Sequence, residues 1–156
     1  MKLALETAMR QGEIISLMWG NIDLDMATAH LALTKNGGAR TVPLSCKAVS
    51  ILRELPRSID GRVFPTTQNA LKIAWQWALV RARKDYEKDC KRAGEILDPG
   101  FLQDLTYHDL RHEATSRIAE KLSNILELSS VTGHKDLQML KRYYHPRAED
   151  LAKKLG

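Results

Sequence analysis

His108 and Arg111 stand three residues apart in the segment Tyr107–Glu113. On a helix that spacing puts an imidazole and a guanidinium on one face. The guanidinium is a planar fork that matches two phosphate oxygens, and the imidazole can move a proton near neutral pH. Surface helices also carry such pairs with no chemistry attached. Arg10 and Glu13 show the same spacing, and there the plain alternative is an exposed ion pair worth little. Lys35 sits in the stretch Lys35–Gly38 (Lys-Asn-Gly-Gly), either as a solubilising edge residue or as a mobile proton donor reaching into a cleft. His134 follows Gly133 where a helix should end, as a C-cap neighbour or as a site residue. Tyr143 and Tyr144 supply two phenols, which could simply divide between core and surface. Taken one at a time, these residues leave both readings open. Their combined chemistry would be anion binding, proton transfer and nucleophilic attack by a phenol.

The elements that must position them are mostly helical. Residues 3–18 read as one amphipathic helix through Leu3, Leu5, Met9, Ile14, Leu17 and Met18, ending near Gly20 and Asn21. Thr28–Leu33 and Arg40–Leu44 read as strands joined by a hairpin turn, because glycine tolerates positive φ. Residues 46–55 predict a helix stopped by Pro56, and Arg62–Pro65 a third short strand. Residues 68–93 predict a long helix with Leu71, Ala74, Trp75, Ala78 and Leu79 on one face. Residues 108–121 predict another. Asn124 is a cap for the next helix, which Gly133 breaks. Asp136 caps a short helix through Arg142, and Pro146 suits the start of a final helix over 147–155. The expected fold is mainly α with a small antiparallel β-sheet, an α+β architecture.

Composition sets outer limits. The 156 residues are 44% hydrophobic and 28% charged, enough for one domain with a real core. A net charge of +5 permits a polyanionic partner without demanding one. Seven basic residues against three acidic ones between Lys72 and Arg92 mark a basic stretch, which on composition alone fits a solvated helix face. Cys46 and Cys90 form no Cys-x-x-Cys pair, which argues against a disulfide framework or structural zinc site and fits a reducing cytosol. No apolar run reaches membrane-spanning length, and Met1–Arg10 lacks a signal-peptide pattern. His108 and His112 have the i,i+4 spacing of a zinc pair, but no His-Glu-x-x-His frame surrounds them, so no metal is expected. The chain begins inside a helical pattern with no cap before Leu3, as a fragment of a longer protein would.

Order and spacing decide between the readings. Arg10 in A-M-R-Q-G-E-I is followed by Leu17, Trp19, Ile22 and Asp23. Then come T-K-N-G-G-A-R-T-V-P-L, H-D-L-R-H, T-G-H-K and R-Y-Y-H-P. In these motifs the chain resembles the catalytic domain of the tyrosine recombinases, the phage-integrase family, across nearly its whole length. The resemblance implies that residues 1–156 form a catalytic domain lacking its first helix and the N-terminal core-binding domain that grips DNA. It implies a site-specific recombinase or integrase working through a 3′-phosphotyrosine intermediate, with no cofactor. Arg10 and Arg111 would clamp the scissile phosphate, Lys35 would be the general acid, and His108 and His134 would serve the phosphate. Tyr143 would be the nucleophile, favoured over Tyr144 because the family's ending is commonly Tyr-x-His. Glu13 would orient its neighbours. Lys72, Arg81, Arg83 and Lys84 would lie along double-stranded DNA. The protein would be a cytoplasmic monomer of bacterial, phage or mobile-element origin, with no membrane partner, forming tetramers on paired sites through its C-terminal helix. The stretch Asp85–Asp104 is longer than the family's pattern. The alternatives are a catalytically inactive DNA-binding fragment of a mobile-element recombinase and an unrelated helical interaction protein.

Overall fold

The structure, a computed structural model, describes residues 1–32, 38–122, 124–144 and 148–156, without the side chains of residues 150, 151 and 154. Its elements in order are α1 (Lys2–Thr7), α2 (Gln11–Ile15), a 3-10 turn (Trp19–Asn21), β1 (Ile22–Asp23), β2 (Thr28–Leu31), β3 (Arg40–Pro43), α3 (Cys46–Arg53), α4 (Gln68–Ala93), α5 (Asp109–Ala119), α6 (Ile125–Thr132), α7 (Gln138–Lys141) and α8 (Ala148–Leu155). The strands form one antiparallel sheet in the order β1-β2-β3. In its register Ala29 faces Val42 and Leu31 faces Arg40.

The core joins the first two helices to the sheet and α3. Leu3, Ala4, Met9, Ile14 and Leu17 pack with Ala29, Leu31, Val42, Leu44, Ala48 and Leu52. Burial alternates along the strands, as a sheet with one covered face requires. Helix α1 lies against α3 and α5, and α6 against β3. The segments carrying Arg10, Arg111 and Gly133–His134 are thereby brought together.

Two expectations change. The single helix over 3–18 is two helices, because Ala8 takes a left-handed conformation with φ 50° and Arg10 is extended. Leu3, Met9, Ile14 and Leu17 are all buried in the two-helix arrangement, so their periodicity reads as one unbroken face. The carbonyl freed at Ala8 instead accepts a bond from Arg111, a tertiary contact that local pattern cannot reveal. The third strand is Ile22–Asp23. Arg62 makes only an isolated bridge to Met18. Residues 33–37 of the hairpin turn, Lys35 among them, lie outside the described residues, as does Pro146.

Elsewhere the local chemistry acts as read. Helix α4 spans 68–93. Asn124 caps α6, its Oδ1 accepting from Leu126 N–H at 2.9 Å. Asp136 accepts from Gln138 N–H ahead of α7. No helix among the described residues is long and apolar enough to cross a membrane.

Candidate active site

The break after α1 creates the first half of the site. Arg10 is the N-cap of α2, and its backbone N–H donates to Glu13 Oε2 at 2.7 Å. Its guanidinium donates to Glu13 Oε1 at 3.1 Å and to the Gly133 carbonyl at 3.2 Å. Glu13 is buried, at 4% exposure. A second guanidinium completes its neutralisation: Arg40, from β3, donates to Oε1 at 2.7 Å and to Oε2 at 2.9 Å. Burial pushes the Glu13 carboxyl toward protonation. The bonds from Arg40 and Arg10 and their positive charge outweigh it and hold the carboxyl below its ordinary range.

Arg111, in the first turn of α5, forms the other half. It is 4% exposed and donates to the carbonyls of Ala8 and, at 2.7 Å, of Thr132. Its Nη2 lies 3.3 Å from His134 Nε2. Burial, then the charge of Arg10, lowers its pKa to about 10, so it stays charged at neutral pH. His134 is aimed here because Gly133, with φ 68°, ends α6 in the left-handed conformation that glycine adopts without strain. His134 Nδ1 lies 2.7 Å from Thr132 Oγ1, while Ser129 Oγ donates to the His134 carbonyl. Burial, then Arg111 and Arg10, push the imidazole down to about 4, so it is neutral at physiological pH.

Tyr143 closes the site from the far end of α7. Its hydroxyl lies 2.6 Å from His112 Nδ1, and the two rings stack at 25°. Arg142 Nη2 stands 3.0 Å from the same nitrogen. His108, just before α5, is exposed and meets His112 edge-on, with ring centroids 4.7 Å apart. Thus Arg10, Arg111, His134 and Tyr143, from four separated segments, surround one region, with Glu13 beneath it. His108 borders that region through His112, while the Arg111 guanidinium turns inward.

The model of the phage integrase family matches residues 1–150. The chain belongs to the phage integrase family. The shufflon-specific DNA recombinase of Escherichia coli is 46% identical over 154 residues, which is 98% of this chain and 35% of that protein. A putative integrase/recombinase of Haemophilus influenzae is 35% identical over 155 residues, 97% of this chain and 45% of that protein. The chain therefore spans less than half the length of these relatives. Among solved structures, the catalytic domain of bacteriophage HP1 integrase is similar with TM-score 0.58 and 26% identity, covering 99% of this chain and 77% of that one. The Tn1549 transposon integrase in complex with circular intermediate DNA shares the fold, with TM-score 0.66 and 20% identity over 98% of this chain and 56% of that one.

In this integrase-family chain the two tyrosines part company. The Tyr144 hydroxyl donates to the Leu122 carbonyl, while that of Tyr143 faces His112. Of the basic residues on α4, Lys72, Arg81 and Lys84 are exposed. Arg83 is occupied: it donates to the carbonyls of Pro99 at 3.0 Å and Phe101 at 2.6 Å and pairs with Glu87. It pins the long connection after α4, where Tyr86 also stacks on Phe101.

Two site residues escape the sequence reading. Arg40 has a signal in period two: it stands two residues before Val42 and four before Leu44, both buried, so an arginine occupies an inward strand position. His112 is visible as half of a metal-type pair, which hides its relation to a tyrosine thirty-one residues on.

Proposed function

We propose that this chain is the catalytic part of a site-specific DNA recombinase that cuts and rejoins double-stranded DNA through Tyr143. The observation that carries the reading is the convergence of Arg10, Arg111, His134 and Tyr143 from four separated segments on one region.

A phosphodiester is anionic and resists attack. Arg10 and Arg111 neutralise its non-bridging oxygens and hold the charge of the five-coordinate transition state; loss of one such fixed donor costs about 3–4 kcal/mol. Arg111 can do this because its fold-facing bonds to Ala8 and Thr132 fix the guanidinium before substrate arrives. His134 adds a hydrogen-bonding group beside it. Tyr143 Oη gives up its proton to solvent as it attacks phosphorus, the 3′-phosphotyrosine forms, and the 5′ oxygen leaves with a proton from Lys35. A 5′-hydroxyl reverses the step, and the phosphotyrosyl bond keeps the energy of the broken linkage, so no ATP is needed. The Tyr144 anchoring to Leu122 supports Tyr143 as nucleophile.

The partner is duplex DNA, in keeping with solved relatives such as XerH bound to a difH substrate. The protein is a cytoplasmic monomer that assembles as a tetramer on paired sites, using α8 between neighbours. A duplex library carrying a nick beside randomised arms tests the activity. Covalent protein–DNA adducts are expected from the wild type and from Tyr144→Phe, and none from Tyr143→Phe with DNA binding retained. DNA binding by the folded wild type without any adduct would replace this reading with that of a binding fragment.

A further inference from the structure

We infer that Arg40 is a positioning residue for DNA cleavage: it takes up the charge of Glu13 and so leaves the Arg10 guanidinium free for the scissile phosphate. The inference deepens the recombinase reading and rests on Arg10 as a phosphate clamp.

Glu13 stands beside Arg10 and competes for it. Its side chain is buried, so its charge must be met by neighbours rather than by water. With Arg10 as its sole cation, the carboxylate would draw that guanidinium into a two-pronged pair, because the fork matches both oxygens. The distances show a different division. Arg40 spans the carboxylate, at 2.7 Å to Oε1 and 2.9 Å to Oε2. The Arg10 side chain keeps a single, longer contact of 3.1 Å to Oε1. Its backbone N–H, at 2.7 Å, supplies the other bond to Oε2. The Arg10 guanidinium remains 33% exposed. Arg40 is 13% exposed, turns both Nη atoms to Glu13, and has a buried Nε with no partner among the described residues. It acts through Glu13.

Charge gives this arrangement its consequence. The guanidiniums of Arg10, Arg40 and Arg111 share one field with the single carboxylate of Glu13, which leaves two positive charges for the substrate. His134 adds none, being neutral at physiological pH. A phosphodiester brings one negative charge, and a second develops on its oxygens as the phenolic oxygen adds. Without Arg40, one positive charge would face that doubly charged state. The groups facing Glu13 are Arg10 at the start of α2, Arg40 from β3 and Arg111 from α5. Burial pushes its carboxyl up, and the bond from Arg40 is the largest of the effects that oppose burial. Loss of Arg40 therefore lets Glu13 protonate more readily, and a protonated Glu13 no longer competes for Arg10.

The test follows single-turnover adduct formation on a nicked duplex chosen from the adduct-forming library, with duplex binding and circular dichroism measured separately. Arg40→Gln keeps a hydrogen-bond donor and removes the charge. Its adduct rate should fall about 10–100-fold, as on loss of an outer-shell partner, with binding within about threefold of wild type. Arg40→Lys keeps the charge and loses the fork, and should stay within about fivefold of wild type. Combining Glu13→Gln with Arg40→Gln removes both charges, and the double variant should react at least about fivefold faster than Arg40→Gln alone. The ratio of wild-type to Arg40→Gln rates should shrink as pH falls and Glu13 takes up a proton, and should stay flat for the double variant. An arginine with only a structural role would produce neither effect. A wild-type rate in Arg40→Gln, a double variant no faster than the single one, a deficit that does not change with pH, or Arg40→Lys as slow as Arg40→Gln would each overturn the inference while leaving Tyr143 as nucleophile. Should circular dichroism show Arg40→Gln unfolded, the double variant is set against wild type: a rate within about tenfold supports the inference, and a folded double variant slower than that overturns it. No adduct from wild type on any library member, with DNA bound, would remove the recombinase reading and this one with it.

Discussion

The Arg40 guanidinium lies against the α-carbon of Gly133: a β-carbon there would stand 2.7 Å from Cζ and 2.8 Å from Nε and Nη1. Gly133 thus serves twice. It supplies the left-handed turn that aims His134, and its bare α-carbon leaves room for the arginine that neutralises Glu13.

Gly133→Ala should therefore do more than strain a turn. The left-handed conformation alone costs a residue with a β-carbon about 1–2 kcal/mol. The clash must in addition push Arg40 off Glu13, since the contact is with the rigid end of the guanidinium. Denaturant unfolding should show a loss of at least about 2 kcal/mol. In an Arg40→Ala background the same substitution should cost only the turn's share. Equal costs in both backgrounds would mean that the contact has no energetic weight.

Glu13 joins two arginines with one buried carboxylate. Glu13→Gln keeps the shape but leaves Arg10 and Arg40 repelling one another, and breaking a buried pair costs about 3–5 kcal/mol. Its pKa is depressed in the folded state, so its contribution is complete above the unfolded value of about 4.3 and is lost as pH falls through the lower folded value. Stability curves of wild type and Glu13→Gln should therefore converge only at strongly acidic pH. Curves separated by a constant gap down to that range would assign the effect to something other than the charge.

His134 titrates in a different window. Its folded pKa of about 4 lies below the ordinary value of about 6.5, because burial and Arg111 disfavour the cation. Between those values the unfolded chain binds more protons than the folded one. Stability is therefore complete above about pH 6.5 and falls as pH drops toward 4. His134→Gln should flatten that portion of the curve and leave the Glu13 portion in place. An NMR titration placing the His134 midpoint near 6.5 would contradict the burial argument.

How far these relations were legible in the sequence depends on their range. Helix α4, the Asn124 cap and the Gly133 stop are local, and residue chemistry announces them. The catalytic candidates are visible as ordered motifs, because family resemblance carries information about contacts that spacing alone lacks. The split between α1 and α2 is not visible, since the Ala8 carbonyl it frees finds its partner in Arg111, a hundred and three residues later. Arg40 and His112 are missed for the same reason. Each is an unremarkable residue until a distant partner, Glu13 or Tyr143, is folded against it.

The basic residues of α4 give a last prediction, in which geometry divides what composition groups together. At 3.6 residues per turn, Lys72 and Arg81 are about 180° apart around the helix, while Arg81 and Lys84 are about 60° apart. Lys72 lines a groove with Gln11, Trp75 and His108, the histidine that borders the candidate active site. Arg81 and Lys84 share the outward face with the exposed Trp77. Arg83 is spent on the carbonyls of Pro99 and Phe101. On the proposed reading, a duplex with its phosphate between Arg10 and Arg111 follows the Lys72 side without meeting Arg81. The slope of log binding constant against log salt should fall by about 0.9 in Lys72→Ala, because one phosphate fewer is neutralised. It should stay close to wild type in Arg81→Ala and Lys84→Ala. Arg83→Ala should lower stability by about 1–2 kcal/mol, because its hydrogen bonds to the connection after α4 are removed, and leave the slope unchanged. A reduced slope in the Arg81 and Lys84 variants with none in Lys72→Ala would put the duplex on the opposite face of α4.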